Sequence, residues 1–398
     1  MQQLTATSKD PEVRPSALEG PGMTASGGAR LVSLDAFRGL TVAGMILVNN
    51  PGSWEYVYPP LRHARWHGWT PTDLVFPFFL FIVGVSLSYS FSQRLDRGAT
   101  RGELYAKIVR RSALLFLIGL LLNAWEKRDG FGLSVPLESF RIFGVLQRIA
   151  VVYLAASLIT LHTELRGRAI AAAACLLSYW ALMKLVPVPG YGAGDLSYAD
   201  HNLAAYLDRI VLRGHLAGKT WDGLGLVSTL PAVGSALAGV LTAHLLRSGR
   251  DKRDTAGWLF VAGWWAILAG LVWDLWFPIN KLLWTSSYVV FTAGAALELL
   301  GVCYWLIEVE GWRGWAWPVI ALGRNAITAF VLSTVVYLSI CPVPFNSNNF
   351  SIRGWIYQNV FGSWANPYNA SLGFAVAYVL LWIVVTAVLS RRRVFIKI

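Results

Sequence analysis

Residues 61–84 read LRHARWHGWTPTDLVFPFFLFIVG, and this stretch changes from polar and aromatic to almost wholly apolar within a dozen residues. Its second half has the composition expected at the start of a membrane-spanning helix. The whole chain shares this character, because 55% of its 398 residues are hydrophobic, only 14% are charged and the mean hydropathy is +0.50. These values lie outside the usual range of soluble proteins. We therefore predict an integral membrane protein.

About ten segments are long enough to cross a hydrocarbon layer of ~30 Å as helices. The predicted fold class is all-α, a polytopic bundle of about ten transmembrane helices. An even number of spans places both chain termini on the same side of the membrane. The predicted spans are 31–50, 71–93, 106–124, 142–162, 167–186, 226–247, 255–274, 283–307, 315–338 and 370–390.

Arginine and lysine set the expected orientation of the bundle. They are more frequent in the short connections on the side of the termini, as at 94–111, 247–253 and 391–397, than in the longer loops opposite. The positive-inside rule therefore predicts that both termini are cytoplasmic. The formal net charge of +12 follows from this bias and from the attraction of anionic lipid, so it gives no reason to expect a nucleic-acid partner.

The domain organisation follows from the same pattern. Residues 1–30 are polar and rich in Gly, Pro and Ser, without the apolar core of a secretory signal, and we predict a disordered cytoplasmic tail there. A single transmembrane domain is expected over 31–398, with outer loops at 51–70, 187–225 and 339–369.

Several classes of site have no support in the sequence. The three cysteines, Cys175, Cys303 and Cys341, show no spacing typical of a disulfide framework or a zinc site, and we expect them to pack in the bundle. The sequence contains no P-loop, no glycine-rich dinucleotide motif and no HExxH motif. We expect no bound metal.

Polar groups gather where the first predicted span ends and the second begins. Asn49 and Asn50 close the first span, and the returning loop carries His63 and His67. Histidine beside a bilayer surface is often an interfacial anchor, and His67 keeps that interpretation. For His63 a second interpretation stands beside it, because a neutral imidazole is suited to remove a proton from an attacking amine or hydroxyl.

The second span has a readable beginning. Thr70 is a good N-cap residue, Pro71 suits the first helical position, and Asp73 falls three residues after the cap. Asp73 therefore has a structural role as the acidic member of a capping box. It also has a functional interpretation, since carboxylates commonly orient a catalytic imidazole.

A series of motifs resembles the heparan-α-glucosaminide N-acetyltransferase family, within the wider transmembrane acyltransferase group. The motifs occur in family order over almost everything after residue 30. They include SLDAFRGLTVAGMILVNN at 33–50, RHARWHGWTPTDLVFPFFLFIVGVSLS at 62–88, RIFGVLQRIAVVY at 141–153, FPINKLLWTSSYVVFT at 277–292 and RRRVFIKI at 391–398. The resemblance is to a prokaryotic-type member without the N-terminal lumenal region of the animal enzyme.

The resemblance implies a reaction and two principal residues. Family members take an acetyl group from cytosolic acetyl-CoA and deliver it to an amino sugar across the membrane. The family's essential histidine falls on His63, expected to be the catalytic base, and its asparagine falls on Asn49, which would polarise the thioester carbonyl or hold the acceptor. Arg62 or Arg65 is an alternative donor to the oxyanion. Direct attack by the acceptor and a transient acetyl-histidine both remain open.

Acetyl-CoA arriving from the cytoplasm needs basic groups for its phosphates and a polar passage to His63. Ionisable residues within spans usually face a bundle interior or a water-filled cavity. The expected cofactor contacts are Arg38, Arg110 and Arg111 at the cytoplasmic ends of spans, and Arg148, Arg324 and Asn325 within them. Each also has a structural interpretation, as a topology-setting arginine or as part of a buried polar pair.

The long outer loops are the expected place for the acceptor, although they would also serve simply to cover the bundle. The proposed substrate contacts are Asn50, Trp66, Asn280, Lys281 and Trp284. A multi-span transporter or flippase for a sugar or anionic solute is the main alternative function, and an O-acyltransferase acting on glycan is another. We expect a bacterial inner-membrane protein, and family analogy favours a homodimer.

Overall fold

The computed structural model describes residues 31–127, 138, 140–218, 220–340 and 351–395. Its architecture is helical, with a single two-stranded hairpin, β1 (Pro187–Val188) and β2 (Gly192–Ala193), in the described part of the chain. The helices are α1 (Val32–Asn49), α2 (Pro71–Leu95), α3 (Arg101–Lys127), α4 (Val145–His162), α5 (Leu165–Leu185), α6 (Leu203–Val211), α7 (Thr229–Leu246), α8 (Lys252–Asp274), α9 (Ser286–Tyr304), α10 (Trp317–Arg324), α11 (Ala326–Ile340), α12 (Ile352–Ile356) and α13 (Pro367–Arg391).

The all-α membrane fold is confirmed. Within the described ranges nine helices are long and apolar enough to cross a membrane, and the bent pair formed by residues 314–324 and α11 would be a tenth. The predicted tail, 1–30, lies outside the described residues. So do Cys341 and residues 341–350 of the predicted loop 339–369.

The prediction of one continuous span over 315–338 is wrong. The chain forms two helices there, α10 and α11, whose axes differ by 72°. Asn325 leaves the helical conformation between them, with φ −115° and ψ 32°. The cause lies in tertiary packing, because Gly323 at the end of α10 approaches the backbone of α1 closely. A Cβ atom at position 323 would lie 2.1 Å from the carbonyl oxygen of Asp35.

Glycines also bring α2 and α7 into backbone contact. A Cβ atom on Gly84 would lie 1.8 Å from the carbonyl oxygen of Ala236, and one on Gly239 would lie 2.0 Å from that of Phe81. Close approach of small residues is the usual way in which membrane helices gain packing energy, since lipid tails are as apolar as the helix surface. The α2–α7 pair therefore forms a rigid centre for the bundle.

Three loops meet at the end of the bundle where α2 begins, which we call the His63 end. Gly68 donates its N–H to the carbonyl of Ile279 at 2.8 Å, so the loop before α2 pairs with the segment between α8 and α9. The indole of Trp66 donates to the carbonyl of Leu196 at 2.7 Å. The other end, where α2, α4 and α7 finish, is called the opposite end.

The α2–α7 contact yields a stability prediction. Gly84→Ala should lower the free energy of unfolding by about 1–3 kcal/mol, because the added methyl forces the two helix backbones apart. Gly257→Ala in α8 is the matched control, since a Cβ atom there meets no atom within 4 Å. Thermal unfolding of both variants in the same detergent would measure the difference. Equal melting temperatures for the two would contradict the close-packed interface.

Candidate functional site

His63, Asp73 and Lys281 form one compact group at the His63 end. The Nδ1 atom of His63 lies 2.7 Å from Oδ1 of Asp73, and Nζ of Lys281 lies 3.3 Å from the same oxygen. Nζ also lies 2.8 Å from Nδ1 and 3.1 Å from Nε2 of the imidazole. Asp73 is almost completely buried, whereas 48% of the His63 side chain is exposed. A charged residue in the interior thus supports a ring that ligands can reach.

Asp73 is fixed by the start of α2. Its Oδ2 atom accepts the backbone N–H groups of Ala64 and Thr70, each at 3.0 Å, and a capping box is present. The hydroxyl of Tyr288 donates to the backbone carbonyl oxygen of Asp73 at 2.5 Å. The structural and functional interpretations of Asp73 therefore describe the same carboxylate, with one oxygen holding the helix start and the other facing the imidazole.

The pairing with Asp73 selects a tautomer of His63. An ionised carboxylate only accepts hydrogen bonds, so Nδ1 carries the proton and donates it to Oδ1. The other ring nitrogen, Nε2, then keeps its lone pair. This is the arrangement in which a carboxylate orients an imidazole for general-base work.

Lys281 lies against the same ring, with its Nζ atom close to both ring nitrogens. Burial lowers the pKa of the Lys281 amine, and the charge of Asp73 opposes the change without cancelling it. The ammonium form can donate to an anion that forms next to Nε2. Its position is set by a tight turn, since Asn280 Oδ1 accepts the Leu283 N–H at 2.9 Å and Trp284 adopts a left-handed φ of 54°.

The other proposed substrate contacts lie at different depths. Trp66 is half-buried and packs against His67 and Trp221, with ring centroids 5.8 and 6.1 Å apart. Trp284 and Asn280 are completely buried, although Asn280 Nδ2 lies 3.4 Å from Nδ1 of the exposed His67. The Trp284 ring lies under the Arg148 guanidinium at 5.1 Å.

The two asparagines at the end of α1 differ. Asn50 is buried, and its amide donates to the Ile46 carbonyl at 2.7 Å. Asn49 is exposed, and its side chain makes no hydrogen bond within the part of the chain that the structure describes. Asn49 is therefore free to bind a ligand, whereas Asn50 is occupied by its own helix.

The six proposed cofactor residues lie on several different helices, although the close approach of Gly323 to Asp35 and Gly39 brings the end of α10 near Arg38 in α1. Arg38 pairs with Asp35 at 3.0 Å and with Ser86 at 2.7 Å, Arg110 is exposed, and the Arg111 guanidinium lies 4.8 Å from the centre of the Tyr153 ring. At the α10–α11 break, Arg324 is exposed and Asn325 Nδ2 lies 3.4 Å from Ser390 Oγ. Arg148, in the first turn of α4, contacts the segment just before α7.

Arg148 belongs to a buried charged cluster that the sequence did not predict. Its guanidinium contacts the Ser228 hydroxyl and donates to the Gly225 carbonyl at 3.2 Å. Arg141 and Asp222 form a two-point ion pair nearby, with N–O distances of 2.8 and 3.1 Å. Within the described residues, no group of three or more His, Cys, Asp or Glu side chains could hold a metal ion.

Asp208 adjoins this cluster, and its Oδ1 accepts the Leu226 N–H at 2.9 Å. Burial raises the pKa of Asp208 from 3.8 to about 6, helped by the negative charge of Asp222. A carboxyl whose pKa is higher in the folded state holds its proton more tightly there than in the unfolded state. Its contribution to stability is therefore complete below about pH 4 and is lost as the pH rises through about 6.

Asp208→Asn should remove this pH dependence. The neutral amide keeps an acceptor for Leu226, so the variant should gain stability over the native chain as the pH rises from about 4 to 6, by on the order of 3 kcal/mol. Melting temperatures between pH 4 and 8 would measure the difference. Asp195→Asn is the control. The Ser197 N–H lowers the pKa of Asp195, so this variant should lose stability relative to the native chain as the pH rises. A constant difference across this range would contradict the raised pKa of Asp208.

Comparison with known proteins gives the same family that the motifs indicate. A family model described as the catalytic region of heparan-alpha-glucosaminide N-acetyltransferase matches residues 30–271. The Mus musculus heparan-alpha-glucosaminide N-acetyltransferase is 29% identical over 433 aligned positions, which cover 95% of this chain and 62% of the mouse protein. The Homo sapiens protein of that name is 28% identical over 424 positions, which cover 93% of this chain and 60% of the human protein.

The chain spans about three-fifths of the length of these curated relatives. The match to the family model extends over more than half of the chain and includes His63, Asn49 and Asp73. The chain belongs to the heparan-alpha-glucosaminide N-acetyltransferase family.

Proposed function

We propose that this chain is a transmembrane acetyltransferase that moves an acetyl group from acetyl-CoA to an amino sugar or glycan, with His63 as the base or the transient acyl carrier. The observation that carries the proposal is the exposed imidazole of His63 held by the buried carboxylate of Asp73 at 2.7 Å. Membership of an acetyltransferase family supports the same reaction type.

In the direct route, Nε2 of His63 takes a proton from the acceptor amine as the nitrogen attacks the thioester carbon. The Nδ1 proton stays on the side of Asp73, whose negative charge stabilises the imidazolium that forms. The tetrahedral intermediate then collapses, the carbon–sulfur bond breaks, and the thiolate takes the proton from Nε2. An amide and free coenzyme A are the products, and His63 returns to its starting state.

Lys281 stabilises the negative charge that develops on the carbonyl oxygen in this proposal. Its ammonium group lies 3.1 Å from Nε2, and a carbonyl whose carbon is attacked beside Nε2 has its oxygen within reach of that group. A preorganised donor at a developing oxyanion is among the largest contributions to acyl transfer. Asn49, with its exposed amide at the end of α1, is the second proposed donor or the group that holds the acceptor.

In the alternative route, Nε2 itself attacks the thioester and carries the acetyl group to the acceptor. Both routes need the same free lone pair on Nε2 and the same proton on Nδ1. Trapping a labelled acetyl group on His63 by rapid acid quench would separate them, since only the second route leaves a covalent adduct.

The sidedness of the reaction is part of the proposal. We assign the His63 end to the extracytoplasmic side and both termini to the cytoplasm, as the distribution of arginine and lysine favours. A bacterial inner membrane and a homodimer are retained as proposals, and so is an acceptor hydroxyl in place of the amine.

A transporter is the second candidate, because one observation favours it. The α10–α11 pair is bent by 72° at Arg324 and Asn325, and discontinuous helices with polar residues at the break are typical of transporter binding sites. Solute uptake by reconstituted vesicles without thiol release from acetyl-CoA would favour that function over acetyl transfer.

The proposal predicts the effect of removing His63. Purified protein incubated with acetyl-CoA and a panel of amino sugars should release thiol, and His63→Ala should reduce the rate by about 10²–10⁴-fold because the base is lost. His201→Ala is the matched control, since His201 also pairs with a carboxylate, Asp195, at 2.8 Å but outside the Asp73 group. Equal rates for the two variants would remove His63 from the mechanism.

Lys281 provides a separate test of the oxyanion assignment. Lys281→Met should lower kcat by about 10²–10³-fold with a smaller change in KM, as expected for a donor that acts in the transition state. Lys281→Arg, which keeps the charge, should retain more activity than Lys281→Met. In the native enzyme, activity should fall on the alkaline side below pH 10.5, because burial lowers the pKa of this amine. A change confined to KM would assign Lys281 to substrate binding instead.

A further inference from the structure

A basic cleft lies at the opposite end of the bundle from His63. It is enclosed by the last residues of α2, α4 and α7 and the first residues of α3 and α5, and its cavity volume is about 450 Å³. This volume falls within the range typical of small-molecule sites. The charged and titratable residues that line the cleft are Arg101, Arg168, Arg247, His162, His244 and Glu164.

The charge in the cleft is strongly unbalanced. Three arginines and two histidines face a cavity whose one acidic lining residue is Glu164. Among the residues that the structure describes, no carboxylate lies within 4.0 Å of Arg101, Arg168 or Arg247. Like charges gathered around one cavity repel each other, and an anion placed between them removes that repulsion.

Arg168 is held rigidly at the cleft wall. Its Nε and Nη2 atoms donate to the carbonyls of Thr163 and Thr160 at 3.0 and 2.8 Å, which satisfies the end of α4. The remaining Nη1 contacts Nε2 of His244. Arg168 of α5 and His244 of α7 are therefore in contact at the wall of the cleft.

Arg247 has capacity left for a ligand. It follows α7, its Nη2 contacts the Ser92 hydroxyl, and its guanidinium lies 5.8 Å from the centre of the Tyr89 ring. The other N–H groups of Arg247 make no hydrogen bond within the described residues. A planar guanidinium with free donors is the side chain best matched to phosphate oxygens.

Topology-setting arginines explain the charge but not the cavity. Arg250, on the same α7–α8 connection, is exposed, lies 5.3 Å over the Trp258 ring and does not line the cleft. Arg101 and Arg247 are exposed too, but together with the half-buried Arg168 they line one open cleft from three different elements.

We propose that this cleft binds a phosphate-bearing ligand, with Arg247 and Arg101 contacting its phosphates and Arg168 and His244 completing the wall. The nucleotide end of coenzyme A and an anionic phospholipid headgroup share this chemistry. The coenzyme A assignment rests on the proposed function, whereas phosphate binding as such does not.

The location of the cleft has a consequence for acetyl transfer. Along α2, Asp73 and Ser92 are roughly 28 Å apart at 1.5 Å per residue. If the phosphates of the donor bind in the cleft, its pantetheine arm has to span most of this length for the thioester to react beside His63. Ser88 and Thr160 line the cleft on its inward side, and Ser157 lies one turn deeper with a buried hydroxyl that has no partner in the described residues.

The test uses the full chain in phosphatidylcholine nanodiscs, prepared with and without phosphatidylglycerol. Binding of coenzyme A and of dephospho-coenzyme A, which lacks the 3′-phosphate, is measured by calorimetry, and bound phosphatidylglycerol by native mass spectrometry. The variants are Arg247→Gln and Arg101→Gln, with Arg250→Gln as the matched control of equal charge change. Arg168 is left unchanged, because its substitution would also remove the bonds that close α4.

For the nucleotide source, Arg247→Gln and Arg101→Gln should each weaken coenzyme A binding at least tenfold, about 1.4 kcal/mol. Arg250→Gln should have little effect, and dephospho-coenzyme A should bind more weakly than coenzyme A. For the lipid source, phosphatidylglycerol should remain bound to the native chain and to Arg250→Gln but be lost from Arg247→Gln. Either pattern supports a phosphate-binding cleft.

The proposal is overturned if Arg247→Gln and Arg101→Gln match Arg250→Gln with both probes. This failure is distinct from failure of the acetyltransferase proposal, which is decided by thiol release in the native chain and His63→Ala. Thiol release that depends on His63, with unchanged coenzyme A binding in the cleft variants, removes the cleft and keeps the enzyme. Phosphatidylglycerol binding that depends on Arg247, without thiol release, keeps the phosphate-binding cleft and removes the acetyltransferase proposal.

Discussion

The buried carboxylate of Asp73 is the group on which the site and much of the surrounding fold depend. A charge removed from water is tolerated only when it is paired and hydrogen-bonded. Asp73 meets this condition with partners from two segments: the N–H groups of Ala64 and Thr70 and the imidazole of His63 in the loop before α2, and the amine of Lys281 between α8 and α9. The carboxylate of Asp73 therefore links the loop before α2, the start of α2 and the α8–α9 segment.

This arrangement explains why the capping and catalytic interpretations do not compete. A capping box uses one carboxylate oxygen to satisfy the N–H of the cap residue, and the other oxygen remains available. In this chain that second oxygen faces His63 and fixes the proton on Nδ1. The helix start thus supplies a rigid anchor for the imidazole, at no cost to the stability of α2.

Helix α2 also connects the two proposed functional regions. Its first turn carries Asp73, its last turns line the basic cleft, and its middle is in backbone contact with α7 through Gly84 and Gly239. The rise of 1.5 Å per residue fixes the separation of the two ends of α2. If acetyl-CoA binds with its phosphates in the cleft while the acceptor binds near His63, the two sites are separated by the length of α2. The flexible pantetheine arm of acetyl-CoA would have to span that distance.

The sequence alone determined the membrane fold, nearly all the spans and the start of α2, because these depend on local composition: apolar segments of bilayer length, and Thr70, Pro71 and Asp73 at capping positions. Residue motifs also determined the family. Tertiary structure decided the rest. It placed Lys281 against His63 across 218 residues of chain, buried Trp284 beneath Arg148, broke the predicted span at Asn325 where Gly323 meets α1, and gathered Arg101, Arg168 and Arg247 around one cavity. Hydropathy and spacing report the preferences of one segment, whereas these contacts arise between segments distant in the chain, where only packing determines which side chains meet.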